Sequence, residues 1–337
     1  MQAHLNELAI THYYRKEPGS YSSFERIFTE IRRGLPARFR CRIAVSPFVS
    51  RGFWKRLANI LAAPFSQGDV NHIVGDNEYI ALLLRKRRTI ITIHDCVVLE
   101  RLTGLKQAIF FFLWYWLPEK RVCAITVVSQ STKEVLLRYL HCDPDKIRVI
   151  HNCVSSDFQP SPRTFDPLRP VLLQVGTRYN KNLLRVVEAL QGIPCHLRII
   201  GELDKEQVAA LLRFGIDYSW IAAPSDKDIL QEYRQADILI FVSTYEGFGL
   251  PIVEANVVGR PVVTSNILSM PEVAGKAACL VNPYDVQDIR KGIVRVLSDK
   301  EYREELVSNG YDNALRFKPD AIAAEYVRLY EEVHRAV

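Results

Sequence analysis

The chain lacks any C-x-x-C pair. Its seven cysteines, Cys41, Cys96, Cys123, Cys142, Cys153, Cys195 and Cys279, are odd in number and scattered singly. That pattern argues against a disulfide scaffold and a structural zinc site, and fits reduced thiols in a cytosolic chain. No apolar run exceeds the ten residues Ala108 to Leu117, AIFFFLWYWL, where a bilayer-spanning helix needs ~20. The opening residues, MQAHLNELAITHYYRK, hold no basic segment followed by an apolar stretch and a small-residue cleavage site, so export is not expected. No short-period repeat occurs. No G-x-G-x-x-G follows an early strand, which disfavours a nicotinamide-dependent oxidoreductase. No recognition motif accompanies the basic surplus, which disfavours nucleic-acid binding.

What is present fits an ordinary globular chain. With 337 residues, 48% hydrophobic and 24% charged, the chain can bury two domain cores. Charge divides unevenly: residues 1 to 160 hold 23 Lys+Arg against 14 Asp+Glu, net +9, whereas residues 161 to 337 hold 21 against 24, net −3. The asymmetry points to an anionic partner for the first half. Its densest point, Arg85-Lys86-Arg87-Arg88, reads either as a solvated turn or as a binding patch.

The stretch Gln159 to Pro170, QPSPRTFDPLRP, carries four prolines that block helix and central strand alike. It divides an expected first domain over 1–158 from a second over 171–318, with 159–170 as linker and a C-terminal helix over 319–337 expected to pack back on the first domain. On both sides, short aliphatic runs alternate with helical patterns, the sign of βαβ units. Strands are expected at Leu8–His12, Arg42–Val45, Val70–Val74, Thr89–Ile93, Ala124–Val128 and Ile147–Ile150. The second set is Val171–Val175, Leu197–Ile200, Ser219–Ile221, Ile238–Phe241, Val262–Thr264 and Cys279–Val281. Both halves read as α/β, doubly wound and Rossmann-like.

Ligands bind such sheets beyond the carboxyl ends of their strands. After Ile238–Phe241 comes Val242-Ser-Thr-Tyr-Glu-Gly-Phe-Gly-Leu-Pro-Ile-Val-Glu254. Gly247 and Gly249 suit a close approach or positive φ, and Pro251 suits a helix's first turn. Glu246 before the turn and Glu254 one turn into the helix face one crevice, where free helix N–H groups favour phosphate. After Val171–Val175 comes Gly176-Thr-Arg-Tyr-Asn-Lys-Asn182. There Arg178 and Lys181 place two cations beside another helix start, a candidate diphosphate cradle. Strand Thr89–Ile93 ends in His94-Asp95, where a neutral imidazole can meet a substrate hydroxyl. The first strand leads into a loop with Gly19 and a helix from about Tyr21. Singly, each segment reads as a solvated loop or a structural histidine; the co-occurrence of the basic loop with the Glu254 segment in one half favours the diphosphate cradle.

These segments, with the Met270-Pro-Glu-Val-Ala-Gly275 turn, resemble the retaining glycosyltransferases of family 4, of the bacterial surface-polysaccharide type. The resemblance covers nearly the whole chain. It implies the GT-B fold, an acceptor-side first domain and a nucleotide-sugar-binding second domain, both Rossmann-like and flanking a cleft, and sugar transfer from a nucleotide-diphosphate sugar to an acceptor hydroxyl with retained configuration. It implies no cofactor and no bound metal. By carry-over, Arg178 and Lys181 stabilise the leaving diphosphate, Glu254 binds the ribose, Glu246 lies near the donor sugar, and His94 contacts a hydroxyl of the donor sugar. Gly19, Asp95, Gly176, Thr177, Phe248, Gly249 and Leu250 complete the donor site. Two features depart from the family: Thr177 stands where Arg usually follows the glycine, and the first loop has a single Gly19 rather than a pair. Asp143-Pro-Asp145 and Asp226-Lys-Asp228 sit where helices begin, which suits capping rather than a metal. The acceptor implied is a glycan or lipid-linked sugar, and the location cytoplasmic, with attachment to the membrane's inner face expected through Arg85–Arg88 and the aromatic run Phe110–Trp116. The alternative for that run is a buried core helix. Alternatives for the whole chain are a nucleotide-sugar epimerase on the same fold and a non-catalytic nucleotide-binding partner subunit.

Overall fold

The computed structural model describes residues 7–16 and 23–336. The chain forms two compact units: Met1–Ser155 with Pro319–Val337, and Ser156–Lys318. Each is built on a six-stranded, wholly parallel sheet. The first sheet comprises β1 (Leu8–Tyr14), β2 (Phe39–Val45), β3 (Val70–Ile73), β4 (Thr89–Ile93), β5 (Ala124–Val127) and β6 (Ile147–Val149), in the order β2-β1-β3-β4-β5-β6. The second comprises β7 (Val171–Val175), β8 (His196–Ile200), β9 (Asp217–Ile221), β10 (Ile238–Phe241), β11 (Val262–Ser265) and β12 (Ala278–Val281), in the order β12-β11-β10-β7-β8-β9. All twelve expected strands are present, shifted at their ends by at most three residues.

Central strands such as β4, TIITI, and β10, ILIF, are buried at every position. Helices cover both faces of a doubly wound sheet, which is why these strands read as continuous apolar runs rather than alternating ones. Each order reverses direction once, at β1/β3 in the first unit and at β7/β10 in the second. These switch points are where a doubly wound sheet leaves a crevice at its carboxyl edge.

The proline-rich segment 159–170 lies within the second unit. Arg163 pairs with Asp237 at 2.8 Å, and the buried Arg260 donates to the carbonyl oxygens of Ser161, Tyr233 and Arg234. The helix Pro319–Arg335 packs in the first unit, burying Tyr326 and Tyr330. Tyr330 reaches His12 Nε2 at 3.0 Å and His72 Nδ1 at 2.8 Å on β1 and β3.

The run Ala108–Leu117 is not the buried helix that one reading of its composition suggests. It falls within the helix Gly104–Phe111 and a π-helical turn Phe112–Trp116. Phe110, Phe111 and Trp114 pack against the core and Tyr115 is buried, but Ile109, Phe112 and Trp116 are exposed. Both faces of this helix are apolar, so composition alone hides its sidedness.

Candidate active site

At the β7/β10 switch point, the two loops singled out from sequence interlock. The β7 loop turns at Gly176, φ +88°, and closes with a single turn Tyr179–Lys181 before Asn182, φ +60°, opens the helix Leu183–Ala189. A Cβ on Gly176 would lie 3.0 Å from Lys181 Cγ and Cε. The glycine therefore lets the lysine stem lie flat across the turn. Lys181 Nζ meets Glu246 Oε1 at 2.6 Å and sits 4.7 Å above the Phe241 ring. Asn180 Nδ2 donates to the Tyr245 carbonyl at 2.9 Å, and Thr244 N donates to the Asn180 carbonyl at 2.8 Å. From the turn after β11, Ser269 Oγ donates to the Glu246 carbonyl at 3.0 Å.

Gly249, φ +102°, rather than Gly247, supplies the left-handed residue of this loop. It caps the helix Leu250–Val258, with Pro251 in the first turn. Phe248 is buried edge-on to Phe317. Glu254 lies inside the fold at 4% exposure, its Oε2 accepting the Tyr233 hydroxyl at 2.6 Å. Tyr233, 21 residues away in sequence and fully buried, was not foreseen. It orients the carboxylate. Arg178 is exposed, and among the described residues its side chain has no hydrogen bond or ion pair. Thr177 Oγ1 donates to the Glu202 carbonyl at 2.6 Å, so its hydroxyl serves the loop. Gln174, in the middle of β7, donates to the Lys181 carbonyl at 3.0 Å, and its own Oε1 is buried without a partner.

In the first unit, His94 follows β4 and is 5% exposed. Its Nε2 lies 3.0 Å from the Val74 carbonyl, which can only accept, so Nε2 carries the proton and Nδ1 holds a lone pair with no partner. Phe24 stacks on the ring at 4.0 Å. Burial favours the neutral imidazole and pulls it below its ordinary range, against the opposing pull of Asp76. Asp95 Oδ1 accepts the Val97 amide at 3.0 Å, capping the short helix Val97–Arg101. Gly19 and the helix start at Tyr21 lie outside the described residues. The two aspartate triplets serve as caps: Asp143 Oδ1 accepts from Asp145 N at 2.9 Å, and Asp228 Oδ2 accepts from Ser225 N at 2.9 Å.

Residues 10–158 match the model of Glycosyltransferase Family 4, and residues 156–313 that of Glycosyl transferases group 1. The serotype-specific mannosyltransferase WbdA of Escherichia coli is 25% identical over 257 residues, covering 68% of this chain and 32% of that protein. O-antigen chain mannosyltransferase B of E. coli is 30% identical over 230 residues, 61% of this chain and 60% of that one. The chain thus spans about a third of the one relative and three fifths of the other. Among solved structures, Anabaena Alr3699/HepE in complex with UDP and glucose superposes with a TM-score of 0.77 at 16% identity, covering 96% of this chain and all of that one. That likeness concerns the fold, which is GT-B.

Proposed function

From the premise that the chain belongs to the family-4 glycosyltransferases, its second half carrying the group 1 domain, we propose that it transfers a sugar from a nucleotide-diphosphate sugar to a glycan hydroxyl with retained anomeric configuration. The observation that carries this reading is the Lys181–Glu246 pair, 2.6 Å apart at the switch point of the second parallel sheet. It sets a cation for the leaving diphosphate beside a carboxylate for the sugar. Glu254, oriented by Tyr233, is the ribose acceptor in this scheme, and the amides of 248–250 face the phosphates. The relatives named above are mannosyltransferases of O-antigen chains, which makes a mannosyl donor and a polysaccharide acceptor the first to try.

The reaction proceeds without a metal ion in this proposal, because Lys181 supplies charge where a divalent ion would otherwise bridge the diphosphate, and both aspartate triplets are engaged in capping. A thermal-shift panel of nucleotide-diphosphate sugars identifies the donor, since a ligand at ~100 times its Kd stabilises by about 2.7 kcal/mol. Turnover with that donor is expected to persist unchanged in EDTA. Loss of rate restored by magnesium or manganese overturns metal independence, and conversion of the donor with no transfer product favours the epimerase alternative.

We also propose that the first unit docks on an anionic membrane surface that presents the acceptor. No helix among the described residues is long and apolar enough to cross a membrane. On the helical stretch after Thr103, Leu105, Ile109, Phe112 and Trp116 are exposed at helical spacing in one stripe. The neighbouring helix Phe53–Ala62, joined to it where Arg56 lies 4.7 Å over the Trp114 ring, exposes Phe53 and Trp54. Arg51, Lys55, Arg101 and Lys106, close to these elements in sequence, are exposed. Tryptophan favours the headgroup level, and each basic residue near an anionic leaflet adds ~1 kcal/mol. By contrast, Arg85–Arg88 precede β4 at the opposite strand end from His94, and Arg88 is engaged with Asp69 at 3.4 Å. Flotation is expected with vesicles rich in anionic lipid, weakening with salt and with Trp54→Glu or Trp116→Glu. Equal recovery with neutral vesicles, or none with any, overturns this placement.

A further inference from the structure

We propose that the amino edge of the second sheet carries a separate binding site for a small organic phosphate monoester, with Lys300 and Arg303 receiving the phosphate. The site does not depend on the transferase reading, because Lys181 and Glu246 stand at the carboxyl edge of the same parallel sheet. Asp237 directly precedes β10, and Arg260-Pro261 directly precede β11, so both mark the opposite edge.

A cavity of about 620 Å³ opens there, within the ~300–1,000 Å³ range of small-molecule pockets. All of its lining residues belong to the second unit. The proline-rich segment after Gln159 forms one wall, and the helix Lys300–Ala314 forms another. Four cations line it, Arg163, Arg260, Lys300 and Arg303, against two carboxylates, Asp237 and Glu304.

The bonding of these groups leaves positive charge unmet. The buried Asp237 is fully engaged: its Oδ1 accepts from Arg163 and its Oδ2 from the Val171 amide, each at 2.8 Å. Arg260, also buried, gives all its N–H groups to carbonyl oxygens, those of Tyr233, Val258, Gly259, Ser161 and Arg234. Its charge therefore has no bonded carboxylate. Burial pulls Arg260 below its usual value, and repulsion from Arg163 outweighs the attraction of Asp237. A buried charge is costly unless a counter-charge meets it, and an anion in this cavity supplies one.

Arg303 and Lys300 still have donors to offer. Arg303 Nη1 holds the carbonyls of Val296 and Leu297 at 2.9 and 3.1 Å, and its guanidinium lies 3.7 Å over the Phe165 ring. Its Nε and Nη2 make no hydrogen bond among the described residues, so a fixed edge of donors is left open. Lys300 Nζ is 3.8 Å from Glu304 Oε1, beyond hydrogen-bond distance. The Tyr311 hydroxyl, also without a hydrogen bond among the described residues, stands against Gly259, φ +81°, where a Cβ would run into it. A phosphate monoester carries about −1.5 to −2 charge at pH 7 and three acceptor oxygens. It matches the surplus of two cations, and the free guanidinium edge suits its geometry. A bare phosphate would leave most of the cavity empty, whereas Pro162, Phe165 and Val307 offer apolar walls to the body of an ester.

Calorimetry on the full chain compares ribose 5-phosphate and AMP with inorganic phosphate and malonate. One ester or both should bind ~10-fold more tightly than either simple anion, the share of the apolar walls. Lys300→Gln and Arg303→Gln should each weaken that binding by ~10-fold or more, as loss of a hydrogen bond to a charged group does. Lys300 is exposed, so its variant keeps the fold even if Arg303→Gln, which releases two helix-end carbonyls, does not. Hydrogen exchange across residues 162–167 should slow on binding. Lys181→Ala should bind the ester as the parent does, which separates this site from the carboxyl edge. Four results overturn the site: no saturable binding by either ester, equal binding of a simple anion, binding indifferent to Lys300→Gln, or binding lost in Lys181→Ala. None of these readouts uses sugar transfer, so failure of the transferase reading leaves them unchanged.

Discussion

Lys181→Ala is expected to lower kcat by ~10² or more while nucleotide affinity changes little, by analogy with removing one preorganised charge donor. The ammonium needs no reorganisation before reaction. Glu246 holds it at 2.6 Å, the Phe241 ring lies beneath it, and Gln174 Nε2 anchors the Lys181 carbonyl. Negative charge on the leaving diphosphate grows as the glycosidic bond breaks, so a fixed cation is worth more in the transition state than in the bound donor. Removing it has a second consequence: Glu246 loses its counter-charge at the edge where the diphosphate departs. The double variant Lys181→Ala/Glu246→Gln should therefore recover part of the single variant's loss, the coupling expected of two residues in direct contact. Steady-state kinetics with the identified donor decide the matter. A rise in KM alone, at unchanged kcat, makes Lys181 a uniform-binding residue and removes it from the chemistry.

The sequence made most of the scaffold legible for one physical reason. Parallel strands covered on both faces must be apolar along their whole length, and runs such as Val171–Val175 and Ile238–Phe241 satisfy nothing else so well. The rule that ligands meet carboxyl strand ends then drew attention to Gly176–Lys181, Glu246 and His94, all of which lie at such ends. What stayed hidden depends on pairings across long sequence separations. Tyr233 orients Glu254, and Tyr330 joins two histidines 318 and 258 positions away, yet neither tyrosine differs locally from any other core aromatic. The stripe on the helix after Thr103 was hidden for another reason. Its buried and exposed faces are both apolar, so periodicity carried no signal and only packing separates Trp114 from Trp116.

Between pH 7 and pH 5 the first unit is expected to lose stability, about 2 kcal/mol of it from His12, an effect that originates in its buried histidines. Arg32 can only donate, so at 3.5 Å His12 Nδ1 accepts and His12 Nε2 bears the proton, which it gives to the Tyr330 oxygen. The Tyr330 hydroxyl then donates to His72 Nδ1, His72 Nε2 to Thr92 at 2.6 Å, and Thr92 to Thr126 at 2.6 Å. This one-way chain, which ties the helix Pro319–Arg335 to four strands, requires both imidazoles to be neutral. Burial enforces that: it lowers His12 to about 3, with Arg32 adding to the effect, and it pulls His72 and His94 down as well. A histidine whose folded pKa lies below its unfolded value of ~6.5 contributes stability that is present above pH 6.5 and lost as the pH falls toward the folded pKa. Glu78 opposes this trend, since burial and the charge of Asp76 raise its carboxyl well above the usual carboxylate range, which favours the folded state as the pH falls. Hydrogen exchange across Pro319–Arg335, measured at both pH values, reads the effect locally. Tyr330→Phe separates its two causes. The variant breaks the chain and should destabilise the helix by ~2 kcal/mol at pH 7, yet keep the pH slope, because burial rather than hydrogen bonding is its source. Protection that is equal at pH 7 and pH 5 in the parent, or a slope abolished by Tyr330→Phe, overturns this account.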